Sequence, residues 1–361
     1  MTNTKLIFVG GFLGAGKTTL LYEVSRRLVS RGTRVALITN DQAPDLVDTS
    51  LLGHLGISVA EVSGSCFCCD FKALRRAIDK VNGQKQDIII AEPVGSCTDL
   101  AATLIIPIQN IMKTEVSVSP LTVLADPGRL KDIMEGGSSG IHPSAAYIIK
   151  KQLEESEIIV ITKCDLYNRE EINSLYDRLK ANFPECEIMA VSARTGEGID
   201  EWLERVLTME SAGEHIKDID YDKYAEGEAI LGWLNCSASL SGSEVDWDAF
   251  TQSFMRDLAL KFETMRSPVG HIKMIVESGD KYISANLTGQ SETLSFRWSA
   301  GSGDNAEMIV NARVEMSPEE LEKIFTEALR DITNGRIVTK INRLRSISPG
   351  YPNPTYRLKK K

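Results

Sequence analysis

Short apolar runs recur along the N-terminal part of the chain, at 6–9, 35–39, 88–91, 121–125, 158–161 and 188–191. Each is four or five residues long, which suits a buried strand better than a helix. Between them, apolar residues three and four apart at 71–81, 169–182 and 199–207 predict amphipathic helices. This alternation predicts an α/β fold, a mostly parallel sheet covered by helices on both faces, over about residues 6–209. Such sheets bind ligands at the carboxyl ends of their strands. The chemistry is therefore sought just after each run.

The pattern changes beyond residue 210. The stretch 211–227 is charged and aperiodic, as a linker would be. Strands are predicted at 229–240, 270–277, 281–287, 292–298 and 306–314, with helices at 246–262 and 317–333. Ser317, Pro318 and Glu320 supply an N-cap, an N1 proline and an acid at N3. The expected organisation is an α/β domain at 1–210, a linker at 211–227, a small α+β domain at 228–335 and a basic extended tail at 336–361. From Gly335 onward the chain carries eight Lys or Arg and no acid. Pro349, Pro352 and Pro354 keep it extended. A solvated tail is the first reading and docking on an acidic partner the second. Nucleic acid is disfavoured, because no aromatic platforms accompany the charges.

The first run opens the most informative stretch, LIFVGGFLGAGKTTLL at 6–21. Gly11, Gly16, Lys17 and Thr18 fit the spacing GxxxxGK[ST] between a strand and a helix. Glycines let backbone N–H groups curl around phosphate oxygens, and the helix N-terminus adds partial positive charge. The nucleotide cradle is expected from Gly11, Gly14, Ala15, Gly16, Lys17, Thr18 and Thr19. Lys17 would neutralise β- and γ-phosphates, and the Thr18 hydroxyl would ligate Mg²⁺. After the second run come Asn40, Asp41, Asp45 and Asp48. Their carboxylates are candidates for holding Mg²⁺ or ordering a water, Asp41 and Asp48 foremost. The third run ends in Glu92, with Gly95 three residues on, where a phosphate-loop protein senses the γ-phosphate.

Thr162-Lys163-Cys164-Asp165 follows the fifth run. A carboxylate at Asp165 can accept both N1–H and the exocyclic amine of guanine, a donor pair adenine lacks, so GTP/GDP is expected over ATP. Lys163 would lie along the base. Ser192 and Ala193, after the sixth run, would offer a backbone N–H to guanine O6.

Seven cysteines occur, three of them in Cys66-Phe67-Cys68-Cys69. Thiolates suit Zn²⁺, Cu(I) or iron–sulfur clusters. In an extended segment Cys66 and Cys68 share a side, and Cys69 joins them only if the backbone turns. Plain burial and a redox dithiol are the alternatives. Cys97 is read first as the opening turn of a helix and second as a fourth thiol.

With 361 residues, 42% of them hydrophobic, the chain can bury a large core. Its net charge of −9 argues against nucleic acid or anionic lipid as general partners. No signal peptide or membrane-length run is seen. A cytoplasmic location is expected, and cysteines there favour metal or redox roles over disulfides.

Together GGFLGAGKTT, Asn40-Asp41 with Asp48, the CxCC of Cys66, Cys68 and Cys69, Glu92 with Gly95, TKCD and SARTGEG resemble the CobW-like family of phosphate-loop GTPases, relatives of the nickel GTPases that serve urease and hydrogenase. The resemblance covers residues 6–207. It implies GTP hydrolysis coupled to delivery of a metal, often Zn²⁺ or Co²⁺, with the CxCC thiols as ligands and a client metalloprotein or cofactor enzyme as partner. A homodimer is left open. The rival readings are a regulatory GTPase for a corrinoid-type enzyme with a structural zinc, and a small-molecule kinase, which TKCD disfavours. The chain departs from the family in having Asp41 for glutamate, Gln42-Ala43 for Phe-Gly, Ser65 for the glycine before Cys66 and Thr162 for asparagine. It also lacks histidine-rich stretches.

Overall fold

The computed structural model describes residues 4–42, 46–83, 85–138, 140–289 and 294–358. The chain forms two compact units. Unit 1 comprises Met1–Gln42, Leu52–Gly227 and Tyr351–Lys361, and unit 2 comprises Ala43–Leu51 and Glu228–Gly350.

In chain order the first elements are β1 (Thr4–Gly11), α1 (Lys17–Ser30), β2 (Val35–Asp41), α2 (Val47–Gly53), β3 (Ser58–Ser63), α3 (Phe71–Asn82) and β4 (Ile88–Glu92). A π-helical turn (Ala101–Ile105) then runs into α4 (Ile106–Ile111). After it come β5 (Val116–Val118), β6 (Thr122–Ala125), α5 (Pro127–Met134), α6 (Pro143–Glu155), β7 (Ile158–Ile161), α7 (Arg169–Asn182), β8 (Glu187–Ala190), α8 (Ile199–Thr208) and α9 (Tyr221–Ala229).

The strands of unit 1 make one parallel sheet in the order β3-β2-β4-β1-β6-β7-β8, with β5 also beside β1. The central strands are buried on both faces, which is why they read as continuous apolar runs and not as alternating ones. On one face Leu20, Val24 and Leu28 of α1 join Trp202 and Val206 of α8 against Ile7, Leu37, Ile90 and Val160. The Trp202 indole N–H donates to the Thr122 hydroxyl at 3.2 Å, so this buried ring keeps a polar partner. The predicted parallel sheet is present, with β3 and β5 as additional short strands.

Unit 2 holds β9 (Gly232–Asp246), α10 (Trp247–Thr264), β10 (Val269–Ser278), β11 (Lys281–Leu287), β12 (Ser295–Ser299), β13 (Ser302–Val314), α11 (Pro318–Thr333) and β14 (Val338–Ile347). These strands form an antiparallel sheet in the order β12-β11-β10-β13-β9-β14. Its period-2 pattern turns Leu234, Cys236, Ala238 and Leu240 of β9 toward a core built with Phe254, Leu258 and Phe262 of α10 and Leu321 and Phe325 of α11. The Ser317 hydroxyl caps α11 by accepting the Glu320 N–H at 3.2 Å, as its sequence predicts.

Three expectations differ from this arrangement. The region beyond residue 335 is not one tail: Val338–Ile347 is a sheet strand on β9, and 351–358 belongs to unit 1. The 211–227 stretch is held to unit 1, with Glu214 N–H donating to Glu157 Oε1 at 2.8 Å and Gln109 Nε2 donating to the Ala212 carbonyl at 3.2 Å. Asp48, expected at Mg²⁺, lies in unit 2, where Lys273 Nζ reaches its two carboxylate oxygens at 2.8 and 2.7 Å. There the carboxylate is engaged in an ion pair. Asp45, and residues 292–293 of the predicted fourth strand of the α+β domain, lie outside the described residues. Among the described residues no helix is long and apolar enough to cross a membrane.

Candidate functional site

The carboxyl ends of β1, β2, β4, β7 and β8 carry the candidate nucleotide residues, so the parallel topology collects them along one edge of the sheet. Gly11 ends β1 with φ 128°, and a Cβ there would lie 2.4 Å from the Leu124 carbonyl oxygen. Only glycine fits. Gly14 and Gly16 take φ 79° and 90°, and the Ala15 N–H closes a turn on the Phe12 carbonyl at 3.1 Å. The loop thus curls back and α1 starts at Lys17, presenting the positive end of its dipole to the curl.

Lys17 Nζ donates to the Gly11 carbonyl at 2.8 Å and to that of Phe12 at 3.3 Å. It stands 3.8 Å from Glu92 Oε1. The Thr18 hydroxyl donates to the Glu92 carboxylate at 3.3 and 3.4 Å. Thr18 and Glu92 therefore bring hard oxygens together beside the phosphate loop, a donor set that suits Mg²⁺. Thr19 is half-buried in the first turn of α1. Gly95 faces the loop: a Cβ there would lie 2.8 Å from Leu13 Cδ2 and 3.0 Å from Lys17 Nζ. Asp41 closes β2 opposite Ser63 and is buried.

At the other end of the site the Thr162 hydroxyl bonds the Ala15 carbonyl at 2.9 Å, which ties the TKCD segment to the phosphate loop. Lys163 adopts φ 54° and pairs with Asp126, the N-cap of α5, at 2.8 Å. Asp165 accepts the Ser192 hydroxyl at 2.7 Å. The Ser192 Oγ in turn accepts the N–H groups of Arg194 and Thr195 at 3.2 and 3.0 Å. This ordered turn, with Ala193 inside it, fixes the carboxylate.

The thiol loop is not extended. The N–H groups of Cys69 and Asp70 both bond the Cys66 carbonyl, at 3.1 and 3.0 Å, so 66–69 is a tight turn. Cys66 Sγ and Cys68 Sγ lie 3.1 Å apart, and Cys69 Sγ lies 3.9 Å from Cys68 Sγ. Cys97 also comes in: the Sγ atoms of Cys66, Cys68 and Cys97 are all within 4.8 Å of one another, and all three residues are buried. A fourth thiol thus stands beside the expected trio of Cys66, Cys68 and Cys69. Cys97 sits in a turn bonded to the Val94 carbonyl at 2.9 Å, before the helix begins, and not in its first turn. Neighbouring thiols, Cys66 foremost, push the Cys68 thiol well above its ordinary range. Cys66 likewise raises Cys69 to about 11. Metal binding at these thiols must displace protons.

Two supports of this loop were not expected in that role. Asn40, at the end of β2, bonds three backbone groups of residues 62–67 through its carboxamide. The C-terminal segment lies along the same loop: Thr355 N–H donates to the Cys68 carbonyl at 2.7 Å, and its hydroxyl donates to that of Cys69 at 2.9 Å. The Tyr356 ring meets Phe71 edge-on at 5.0 Å. Arg357 Nε bonds Asp99 at 2.6 Å, and Leu358 N–H bonds the Ala102 carbonyl at 2.9 Å. In the π-helical register Ala102 faces Pro107, which has no N–H, so Leu358 supplies the missing donor. Within this basic segment Arg357 thus pairs with an acid of the same chain.

A family model described as "CobW/HypB/UreG, nucleotide-binding domain" matches residues 5–190. Zinc-regulated GTPase metalloprotein activator 1 of Dictyostelium discoideum is 26% identical over 211 residues, covering 50% of this chain and 44% of that protein, less than two thirds of its length. Zinc chaperone YjiA of Escherichia coli is 37% identical over 59 residues, 16% of this chain and 18% of that one. Among solved structures, hydrogenase maturation factor HypB from Archaeoglobus fulgidus matches with a TM-score of 0.40 at 19% identity, covering 56% of this chain and 87% of that one.

Proposed function

Since the chain belongs to the CobW/HypB/UreG nucleotide-binding family, we propose that it is a Mg²⁺-dependent GTPase whose nucleotide state governs its hold on a soft metal ion, which it passes to a client protein. Zinc is the favoured cargo, because clustered thiols suit it and because two relatives are named for zinc. Lys17 neutralises the β- and γ-phosphates, and Thr18 with Glu92 would hold Mg²⁺, which supplies charge neutralisation when bound. Asp41 and Glu92 are the acids we propose to order the attacking water. Asp165 selects guanine, with Thr162 and Ser192 fixing its place.

The observation that carries this reading is the shortness of one connection. Glu92 touches Thr18, Gly95 faces Lys17, and Cys97 reaches the thiol cluster, all within six residues. A movement that follows the γ-phosphate at Gly95 is delivered to the thiols. The test is a zinc titration of protein loaded with GDP or with a non-hydrolysable GTP analogue. Different affinities in the two states are expected, and zinc must shift GTP affinity by the same factor. Equal affinities would leave any bound metal outside the nucleotide cycle. Lys17→Ala is expected to abolish GTP hydrolysis.

A further inference from the structure

Cys97 lies outside the CxCC turn, on the segment that connects Glu92 and Gly95 to the following helix. Its Sγ is nevertheless within 4.8 Å of those of Cys66 and Cys68, and it is only 2% exposed. Zinc–sulfur bonds of about 2.3 Å in a tetrahedral site place sulfurs about 3.8 Å apart. The distances of 3.1 Å for Cys66–Cys68 and 3.9 Å for Cys68–Cys69 bracket that value. The remaining cysteines are engaged elsewhere: Cys164 bonds Glu197, Cys186 bonds the Ser156 carbonyl, and Cys236 is in the core of unit 2.

Burial separates the four thiols. Cys66, Cys68 and Cys97 are buried, whereas Cys69 is partly exposed at the rim. The backbone of Cys97 is also fixed. Gln152 Nε2, from α6, donates to the Gly95 carbonyl at 3.0 Å and to the Cys97 carbonyl at 2.8 Å. The two residues are stapled together, so a shift at Gly95 moves Cys97 with it.

We propose that Cys97 is a metal ligand: with Cys66 and Cys68 it forms a buried three-thiolate floor for a soft divalent cation, and Cys69 is the outer, exchangeable fourth thiolate. This rests on the metal-handling reading above and names the ligand through which that site feels the nucleotide. The floor is closed only while the Gly95–Cys97 segment holds its place. Withdrawal of Cys97 would leave the cation on the CxCC turn alone, where the exposed side at Cys69 faces an acceptor.

The experiment is zinc X-ray absorption on the reduced full-length protein carrying one equivalent of zinc, beside Cys97→Ser, Cys69→Ser and the Cys66→Ser/Cys68→Ser double variant. The CxCC turn contains three thiols, so four sulfur scatterers in the unsubstituted protein require one from outside it. Four are expected there and three in Cys97→Ser, with affinity lowered at least ~10-fold in a chelator competition, the scale on which even supporting groups act. Cys69→Ser is expected to keep most of the affinity and to release zinc faster. Two sulfurs in Cys69→Ser, where the buried trio requires three, or an unchanged count and affinity in Cys97→Ser, overturns the assignment of Cys97. The sulfur count of Cys69→Ser decides the matter even if Cys97→Ser does not fold. Failure of the unsubstituted protein to bind zinc, or full binding by the double variant, instead overturns the metal-handling reading itself.

Discussion

The carboxamide oxygen of Asn40 accepts the backbone N–H of Phe67 at 2.8 Å, while its nitrogen donates to the carbonyls of Val62 and Ser65 at 2.9 and 2.8 Å. One side chain at the end of a nucleotide-site strand thus fixes the entry to the thiol turn. Asn40→Ala strands one buried donor and two acceptors, at about 1–3 kcal/mol for such groups. A lower thermal midpoint and weaker zinc binding are expected together. Asn40→Asp keeps the acceptor and loses both donors, so it should fall short of rescue. Unchanged zinc affinity in Asn40→Ala, measured by chelator competition, would separate Asn40 from the thiol loop.

Guanine selection is assigned to Asp165, which the Ser192 hydroxyl holds at 2.7 Å. Asp165→Ala should weaken GTP binding by ~1.5–3 kcal/mol, the cost of losing hydrogen bonds to a charged group. Its preference over ATP should fall in parallel. Ser192→Ala should produce a smaller loss in the same direction, because it frees the carboxylate without removing it. Calorimetry with both nucleotides checks this, and equal binding of GTP and ATP by the unsubstituted protein would contradict the assignment.

Glu155, at the end of α6, is 1% exposed and accepts the Thr98 hydroxyl at 2.9 Å and the Ala101 N–H at 3.2 Å. Burial first, then the charge of Asp99, pushes its carboxyl from 4.5 to about 8 against the N–H groups of Ala101 and Leu100, which favour ionisation. The folded value is the higher one. Its contribution to stability is therefore fully present below about pH 4.5 and declines as the unfolded chain ionises, until the folded carboxyl titrates near pH 8. Between these values Glu155→Gln should gain on the unsubstituted protein by up to ~1.4 kcal/mol per pH unit. Urea unfolding at pH 5, 6 and 7 reads the difference, and parallel stability curves would refute it.

Arg357 Nε lies 2.6 Å from Asp99, to which the Tyr221 hydroxyl also donates at 2.7 Å. The Arg357 side chain is 29% exposed and that of Asp99 only 1%. Arg357→Ala leaves a buried carboxylate short of its cation. Full burial would cost about 3–5 kcal/mol, and the solvent around Arg357 and the retained tyrosine reduce this to ~1–3 kcal/mol. The neighbouring Thr355 clasp on Cys68 and Cys69 should loosen with it, so zinc should leave faster to a chelator. Adding Asp99→Asn removes the stranded charge and should restore stability. Identical release rates would show that the segment plays no part in holding the loop.

Wherever a signal was local, the sequence by itself determined the outcome. The phosphate loop needs glycines at set spacings between a strand and a helix, and Gly11, Gly14 and Gly16 adopt the positive φ angles that motif requires. The central strands announce themselves as unbroken apolar runs because both faces of a parallel sheet are buried. The cap at Ser317 is a contact over three residues. Side-chain partners distant in sequence had no such signal. Cys97 lies two residues past Gly95, and only the folded chain brings its Sγ to those of Cys66 and Cys68. Asp48 reads as a candidate metal ligand from its place after β2, and only folding sets Lys273 beside it. The basic C-terminal stretch looked solvated because the groups that receive it, the Cys68 carbonyl, Asp99 and the Ala102 carbonyl left open by Pro107, are assembled from separate segments. A backbone motif is encoded by the residues that adopt it, whereas a hydrogen bond or ligand set between remote segments exists only once the chain has closed around it.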